Sequence, residues 1–510
     1  MNKTITDETV SMGNSVVIGG CGTAASLIAR VLNQQGSNVT VSDLVEDTPL
    51  KEVFIREGIN LDLGQHSPEV LANADIIILA PSLRNNEKVL KLISNCSDAK
   101  IISINEILDL FKVNKPVIGV TGTNGKTTTT TITKNILKLS GLEIPEHCLN
   151  IQGNTEYIPA MQARLNGDVA VVEIGTFGRP NEIYKSAKNS NVSIGIITNI
   201  TQDHLEDGHD FNKYISCKKE MLNVADRMVL NADDPYVSNF ANEFKKKDNI
   251  IFFGIENMLL DSDSFPEERI CPICSKKLKY EQHYLGHMGH YSCSCSFKRP
   301  NTTVKAYDVT NNSFRLVINS DESHIKLNKP GLCNIYNALA AASATFALDV
   351  DFDYIVKGIE SFKGVPGRFQ EINSNPKIIM DFAHNPAGVK ASLQAINCEN
   401  NGRLIVINTV ASESGETGDK DIANILNNAD IIIPASYAAR LASEVITKEV
   451  ILTEASEEKT MKKGTLGATE KQIFEGLKKA INIYKKNDII LIIGEGGFKY
   501  AEKVLPKSLI

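Results

Sequence analysis

A glycine-rich segment at Val120–Thr128 has the residue types and spacing of a loop that binds nucleotide phosphates. It follows a short apolar run and precedes a threonine-rich helical stretch, so backbone N–H groups and a helix N-terminus would face the phosphates. In such loops the lysine reaches the β- and γ-phosphates, and the next hydroxyl ligates magnesium. Because Val120 stands where the general pattern has a glycine, the alternative is a plain turn between strand and helix. The residues that we predict to bind ATP are Gly122, Thr123, Asn124, Gly125, Lys126, Thr127 and Thr128.

Four cysteines form a second group with chemical potential. Cys271 and Cys274 enclose two residues, Cys293 and Cys295 enclose one, and 18 residues separate the pairs. Four thiolates at such spacing predict a zinc ribbon, although the second pair is one residue short of the usual spacer. His287 or His290 could replace one ligand, and free thiols in an insertion are the alternative. Four protein ligands leave no open position, so we expect a structural zinc ion.

The bulk composition narrows the class of protein. The chain has 510 residues, 42% of them hydrophobic, and a net charge of -7. This charge gives no support to nucleic acid or anionic membrane as a partner. No apolar run approaches the roughly 20 residues that span a bilayer, and the polar first residues lack the core of a signal peptide. We expect a cytoplasmic globular protein, most simply a monomer.

Strand and helix patterns alternate along the chain, which predicts α/β domains with parallel sheets. Turn-rich or proline-containing segments at 115–116 and 364–368 divide the pattern. We predict a Rossmann-like domain at 1–113, a central phosphate-loop ATPase domain at 114–365 with the ribbon inserted at 268–300, and a Rossmann-like domain at 366–510.

The first predicted domain carries its own glycine turn. Gly20 and Gly22 follow an apolar strand, Ala25 completes the spacing, and Asp43 ends the next strand. Taken alone, this is a dinucleotide fingerprint and favours a dehydrogenase.

Further motifs follow the phosphate loop in a fixed order and, with it, resemble the Mur ligase family. The segment TGTNGKTT with Val120 before it is similar to that family's phosphate loop, and the resemblance covers nearly the whole chain. Cys333 stands where the family commonly has a histidine, and Glu206 where it has an aspartate. The matching segments are Val171–Glu173, Asp203–Glu206, Tyr214–Lys218, Asn231–Pro235, Asn334–Ala341, Pro366–Arg368 and Asp381–Pro386.

The resemblance implies an ATP-dependent ligase that joins an amino acid or peptide to a carboxylate through an acyl phosphate. It implies that Thr127 and Glu173 hold one magnesium ion and that His204 helps to hold a second. Lys218 would carry a carbamate and ligate magnesium, whereas a solvated helix lysine is the alternative. The resemblance also implies catalytic roles for Lys126, Glu173, His204 and Lys218, and ATP contacts for Asn337, Arg368 and Asp381. The last two would enter the site when the third domain closes over ATP.

The resemblance changes the interpretation of the first domain, because a similar domain in several Mur ligases binds the uridine diphosphate of a sugar-linked substrate. We therefore place UDP above NAD as its ligand. Asp43 would face the base or ribose, or would cap a turn. The residues that we predict to bind this substrate are Gly20, Cys21, Gly22, Asp43 and Ser82.

Our preferred hypothesis is an archaeal pseudomurein peptide ligase that adds an amino acid to a UDP-linked precursor. Segments Gly289–Tyr291 and Phe297–Pro300 resemble the ribbon of MurT, so an amidating subunit that acts with a glutaminase is an alternative. A Mur-like ligase of nickel-tetrapyrrole coenzyme synthesis, a non-enzymatic nucleotide-binding regulator and a dehydrogenase remain further alternatives. The motif that selects diaminopimelate is not visible in residues 400–480, which argues against that amino acid.

Overall fold

The described part of the protein in the computed structural model contains three large sheets with helices on their faces and one two-stranded sheet. The structure describes residues 12–145, 154, 157–202, 210–260, 265–397, 402–412, 414–459 and 467–508. Among the described residues no helix combines the length and apolar character that crossing a membrane requires.

The first sheet has five parallel strands in the order β3-β2-β1-β4-β5. The central strands β1 and β4 contain the apolar runs Val16–Ile18 and Ile76–Leu79, as expected when helices cover both faces of the sheet. Strand order reverses between β1 and β4, so the crevice at their carboxyl ends is where such sheets bind ligands. The elements are β1 (Asn14–Ile18), α1 (Thr23–Gln34), β2 (Asn38–Asp43), α2 (Lys51–Arg56), β3 (Asn60–Leu63), α3 (Pro68–Ala72), β4 (Ile76–Leu79), α4 (Glu87–Cys96), β5 (Lys100–Ile102) and α5 (Ile104–Leu110).

The central sheet has eight strands in the order β15-β14-β13-β10-β9-β8-β6-β7, and a separate hairpin is formed by β11 and β12. All neighbouring pairs are parallel except β13–β14 and β14–β15. The strands are β6 (Val117–Thr121), β7 (Ala170–Glu173), β8 (Ile194–Ile197), β9 (Arg227–Asn231), β10 (Ile250–Ile255), β11 (Lys279–Leu285), β12 (Met288–Ser292), β13 (Val304–Tyr307), β14 (Ser313–Ile318) and β15 (Asp321–Lys326). The helices are α6 (Lys126–Leu139), α7 (Ile158–Arg164), α8 (Glu182–Asn189), α9 (Phe211–Lys219), α10 (Pro235–Asn239), α11 (Leu332–Phe346) and α12 (Phe352–Glu360).

Small side chains let the helices of the central domain approach closely. Helix α11 is rich in alanine and is buried along nearly its whole length. On α12, a Cβ added to Gly358 would lie 2.5 Å from Ile136 of α6. Close packing of α6, α11 and α12 therefore fixes the helix that begins at the phosphate loop, and it brings Asn337 of α11 to that loop.

The third sheet has six strands in the order β16-β17-β21-β18-β19-β20, parallel except for the edge strand β16. Two hydrophobic clusters, one on each face, bury its central strands. The elements are β16 (Gln370–Ser374), β17 (Lys377–Asp381), α13 (Pro386–Asn397), β18 (Leu404–Asn408), α14 (Gly415–Leu426), β19 (Ile431–Pro434), α15 (Tyr437–Ala442), β20 (Glu449–Val450), α16 (Glu470–Ile483), β21 (Ile489–Ile493) and α17 (Glu495–Ser508).

Helix α7 joins the first two sheets. Its residues Ala160 and Met161 pack into the hydrophobic core of the first sheet. The Arg164 guanidinium donates to the carbonyl oxygen of Leu108, in the last turn of α5, at 2.9 Å and to that of Phe111, just after α5, at 2.6 Å. Burial lowers the pKa of Arg164 to about 10. The first domain is thus held against the central one by the buried Arg164 guanidinium, which donates hydrogen bonds to several carbonyl oxygens.

The predicted fold class is confirmed, since three α/β units with mainly parallel sheets follow one another. The domain bounds at 1–113, 114–365 and 366–510 stay predictions. The antiparallel strands β14 and β15 are not expected from the alternation of strands and helices. They are a hairpin that widens the central sheet, and a two-residue turn at 319–320 joins them.

Candidate active site

The phosphate loop lies between β6 and α6, at the carboxyl end of the central sheet. Gly122 and Gly125 have φ of +141° and +85°, a region that favours glycine. A Cβ on Gly122 would lie 2.0 Å from Thr198 Oγ1, and one on Gly125 would lie 2.2 Å from Asn337 Oδ1. The side chains of Thr198 and Asn337 therefore leave no room for a Cβ at these two positions of the loop. Asn337, predicted to contact the nucleotide, lies directly against it.

Oxygen atoms suited to magnesium lie at the start of α6. Thr127 Oγ1 donates to Glu173 Oε2 at 2.8 Å, and Asn154 Nδ2 donates to Glu173 Oε1 at 2.8 Å. Glu173 ends β7 and is buried. A hydroxyl beside a buried carboxylate is a hard oxygen pair that fits Mg²⁺. Sequence reasoning missed Asn154, because a single asparagine carries no local signal in the sequence.

Lys126 and Lys218 both reach the phosphate loop. Lys126 Nζ donates to the carbonyl oxygens of Gly122 and Thr123 at 3.1 and 2.8 Å. Lys218 Nζ donates to Gly122 O at 3.0 Å, although Lys218 is only 1% exposed. Its neighbour one turn earlier, Tyr214, has its OH 3.2 Å from Thr123 Oγ1. The solvated alternative for Lys218 thus does not describe the structure, since α9 buries this side chain under the loop.

The predicted second magnesium ligand, His204, lies outside the described residues. The same holds for the whole Asp203–Glu206 segment. Its role therefore stays a prediction.

The third domain contributes to the same cavity as the phosphate loop, a cavity of about 340 Å³. Arg368 lies with its guanidinium carbon 4.5 Å from the centre of the Phe382 ring. Asp381, at the end of β17, accepts a hydrogen bond from Ser392 at 2.5 Å. Burial raises the pKa of Asp381, and the Ser392 hydrogen bond and the Arg368 charge oppose that rise. The carboxylate is thus held by α13 and faces the loop across the domain junction.

An amide pair fixes this junction at the loop itself. Asn124 Nδ2 donates to Asn385 Oδ1 at 3.3 Å, and Asn385 Nδ2 donates back to Asn124 Oδ1 at 3.1 Å. Asn385 lies in the Asp381–Pro386 segment but was not among the predicted site residues. The structure thus places all the residues that we predicted to bind ATP at one site, and Glu173 and Lys218 lie at the same site.

The glycine turn of the first domain lies at the crevice between β1 and β4. A Cβ on Gly20 would lie 2.8 Å from Val17 O, so the turn packs tightly on its own strand. Asp43 Oδ2 accepts the Cys21 N–H at 3.0 Å, which is the turn-capping alternative for this residue. Ser82 lies in the short helical turn Pro81–Leu83 that follows β4 and packs against Gly19. The predicted substrate residues therefore meet at one crevice, with Asp43 bonded to the loop.

The four cysteines come together as a cluster. All four Sγ atoms lie within 4.8 Å of one another, and the cross pairs Cys271–Cys295 and Cys274–Cys293 are separated by 3.6 and 3.5 Å. Tetrahedral zinc with Zn–S bonds of about 2.3 Å requires S–S distances of roughly 3.8 Å, so the cluster fits the ion. A hydrogen bond from the Cys295 backbone N–H lowers the pKa of Cys293 to about 6, whereas burial raises the pKa of Cys271 to about 12.

The two histidines weighed as substitute ligands point elsewhere. His287 Nε2 lies 2.9 Å from Asp234 Oδ2, and His290 Nε2 lies 3.0 Å from Ile255 O. Among the described residues, the candidate zinc ligands of the ribbon are therefore all cysteines.

Comparison with known proteins places this geometry in a family. The model of the Mur ligase middle domain matches residues 120–287, and that of the Mur ligase glutamate ligase domain matches residues 367–496. The structure of a pseudomurein peptide ligase type C from Methanothermus fervidus is 56% identical, with a TM-score of 0.89, over 97% of this chain and 99% of that one.

Two curated relatives are more distant. The UDP-N-acetylmuramate–L-alanine ligase of Caldicellulosiruptor saccharolyticus is 27% identical over 98% of this chain and 99% of its own length. The MurT subunit of the lipid II isoglutaminyl synthase of Staphylococcus aureus is 29% identical over 54% of this chain and 63% of its own length. The chain therefore belongs to the Mur ligase family and is an ATP-dependent, ADP-forming ligase.

Proposed function

We propose that this chain is a pseudomurein peptide ligase that adds one amino acid to a UDP-linked cell-wall precursor. The observation that carries the proposal is the shared cavity, in which a phosphate loop and a buried carboxylate of one domain face Arg368 and Asp381 of the next. The full-length likeness to a pseudomurein peptide ligase at 56% identity supports the substrate class.

The reaction needs two anions to meet. A carboxylate oxygen of the acceptor attacks the γ-phosphorus of ATP, ADP leaves, and an acyl phosphate remains. The amino group of the incoming amino acid then attacks the acyl carbon, inorganic phosphate leaves, and the nitrogen gives up a proton as the amide forms. Cations and aligned backbone donors offset the charge repulsion of the first step, so the protein needs no nucleophile of its own.

Different residues of the cavity have different roles in this reaction. Lys126 and the loop N–H groups bind the β- and γ-phosphates, and Thr127 and Glu173 would hold magnesium, which would supply positive charge to those phosphates. Arg368 and Asp381 act from the third domain, which closes over ATP and excludes water. Asn337 positions the nucleotide from α11. His204, on the basis of the family resemblance alone, helps to hold a second ion near the acceptor carboxylate.

Lys218 is proposed to carry a carbamate. A bare ammonium group this close to the phosphate loop repels magnesium, whereas a carbamate is an anion that ligates it. The near-complete burial of Lys218 supports the proposal, because burial favours the neutral amine that reacts with CO2. The carbonyl of Gly122 stabilises the amine in the absence of the modification.

The UDP group is proposed to bind in the crevice between β1 and β4. Here Gly20, Cys21 and Gly22 lead into the N-terminus of α1, which favours a diphosphate. Because the Cys21 N–H already binds Asp43, the diphosphate is expected at the helix end of the turn, and Ser82 flanks it.

A MurT-like amidating subunit is the second candidate, because the cysteine ribbon and the match to MurT favour it. That function would require a glutaminase partner. The match covers 54% of this chain, whereas the match to the alanine-adding ligase covers 98%. Full-length coverage therefore favours the peptide ligase.

Amino-acid-dependent ADP release tests the proposed function. With a UDP-linked acceptor, ATP and magnesium, one amino acid is expected to stimulate ADP release without any partner subunit. Lys126→Met is expected to lower turnover by at least about a hundredfold, because a cation that stabilises transition-state charge is lost. Lys138→Met, on an exposed lysine at the far end of the same helix, is the matched control. Release only with glutamine and a glutaminase would instead identify the amidating function.

Replacing Lys218 tests the carbamate. Lys218→Ala is expected to lose activity by about a hundredfold, since magnesium loses an anionic ligand. Millimolar short carboxylates should restore part of it by filling the vacated space. Lys219→Ala is the control, because Lys219 pairs at the surface with Glu243. Full activity in Lys218→Ala, or no rescue by any short carboxylate, would contradict the carbamate.

Metal analysis tests the ribbon. The purified protein is expected to contain about one zinc ion per chain. Cys274→Ser should lose the zinc and lower the thermal unfolding midpoint, whereas Cys96→Ser, outside the cluster, should retain both. A wild-type protein without zinc, or a Cys274→Ser variant with its full content, would refute the assignment.

A further inference from the structure

A second, smaller cavity opens beside the phosphate loop, and the ribbon forms one of its sides. Asn124, Gly125 and Asn337 border both this cavity and the larger one, so the two lie side by side at the loop. The ribbon contributes the tip of the β11–β12 hairpin, which consists of Leu285 at the end of β11, Gly286 and His287 between the strands, and Met288 at the start of β12. We call these four residues the hairpin turn.

The walls of the smaller cavity suit a flat heteroaromatic ring. Leu285 and Met288 of the hairpin turn lie on one side, and Ala387 and Ala391 of α13 on another. Asn199 and Asn337 add amide groups, which both donate and accept hydrogen bonds. Binding sites for small molecules combine largely apolar walls with a few such polar groups.

Buried charges attach the hairpin turn to the central domain. His287 bonds to Asp234, whose carboxylate is fully buried and also accepts the N–H of Ile200 at 2.8 Å. Arg299, where the chain leaves the ribbon, donates to the buried Asp233 at 2.6 Å. A buried carboxylate without a partner is costly, so these two pairs hold the ribbon in one place. The hairpin turn is therefore fixed in position on its side of the smaller cavity.

The opposite wall is attached to the ribbon as well. Glu267 Oε1 accepts from Lys390 Nζ of α13 at 2.5 Å, and the Glu267 N–H donates to Gly286 O at 3.1 Å. Gln394 Nε2, also on α13, donates to Tyr284 O at 3.4 Å. Glu267 thus ties α13 to the hairpin turn, and the width of the cavity depends on the ribbon and the third domain together.

We propose that the hairpin turn is a wall of the subsite for the base of ATP, so that the ribbon positions the nucleotide as well as stabilising the fold. Leu285 and Met288 pack on one face of the base, and α13 closes on it when Glu267 binds Lys390. The proposal rests on the proposed function only in that the phosphate loop binds ATP. It assigns the ribbon no contact with the acceptor or with the amino acid.

Comparing two ligands tests this role, because ADP has a base and inorganic tripolyphosphate has none. Calorimetric titration in the presence of magnesium would give both affinities for the full-length, zinc-loaded protein. Leu285→Trp fills the cavity and is expected to weaken ADP binding at least thirtyfold while tripolyphosphate binding changes less than twofold. Leu285→Ala, a milder change, is expected to weaken ADP binding about fivefold, as the loss of apolar contact predicts. Leu259→Trp, at an exposed leucine outside the cavity, should alter neither affinity.

The outcomes separate two kinds of failure. Unchanged ADP binding in both Leu285 variants, or an equal loss for ADP and tripolyphosphate, would overturn the proposed wall. In that case the ligase assignment would stand. A wild-type protein that binds neither ligand would instead contradict the ATP site itself. If Leu285→Trp does not fold, the ratio of the two affinities in Leu285→Ala decides.

Discussion

Two negatively charged groups, the acceptor carboxylate and the γ-phosphate, must be brought into contact before an amide can form. In water their repulsion and their hydration oppose this approach, so the protein must supply positive charge and aligned donors where water is excluded. The structure meets this constraint at the phosphate loop. Lys126 and the N-terminus of α6 lie on one side of the cavity, and Arg368 lies on the other. The packing of the three domains serves to hold these groups at one point.

The domain junctions differ in how they are built. Between the first two domains, Arg164 and the apolar face of α7 form a buried, permanent contact. Between the central and third domains, the contacts include the Asn124–Asn385 amide pair, the Glu267–Lys390 ion pair and hydrogen bonds from Gln394 to Tyr284 O and from Asn311 to Ala395 O. Phe265 also packs against the hydrophobic core of the third sheet. The proposed closure over ATP would take place at this second junction.

Local signals made the phosphate loop and the cysteine ribbon predictable from sequence. Gly122, Gly125 and Lys126 form one short motif, and the four cysteines are close in sequence. The β14–β15 hairpin also follows a local pattern, since alternate residues of β14 are buried and Asn319 in the turn has a positive φ. The alternation of strands and helices around the hairpin concealed this pattern.

Other contributors have no such signal. Asn154, Asn385 and the hairpin turn meet the loop only after distant segments pack together. Asp233 and Asp234 look in sequence like ordinary strand-end acids, and only the fold shows that they bond to Arg299 and His287. A pairing between residues about 50 or more apart depends on tertiary packing, which local patterns do not encode.

Isotope transfer tests the central claim most directly. An acceptor labelled with ¹⁸O in its carboxylate would be turned over with ATP, magnesium and the amino acid, and the released inorganic phosphate analysed by mass spectrometry. If the carboxylate attacks the γ-phosphate, each phosphate released carries one ¹⁸O atom from the acceptor, because that oxygen leaves with phosphorus when the amine displaces it. Amide formation with unlabelled phosphate would contradict an acyl phosphate and, with it, the role assigned to this site.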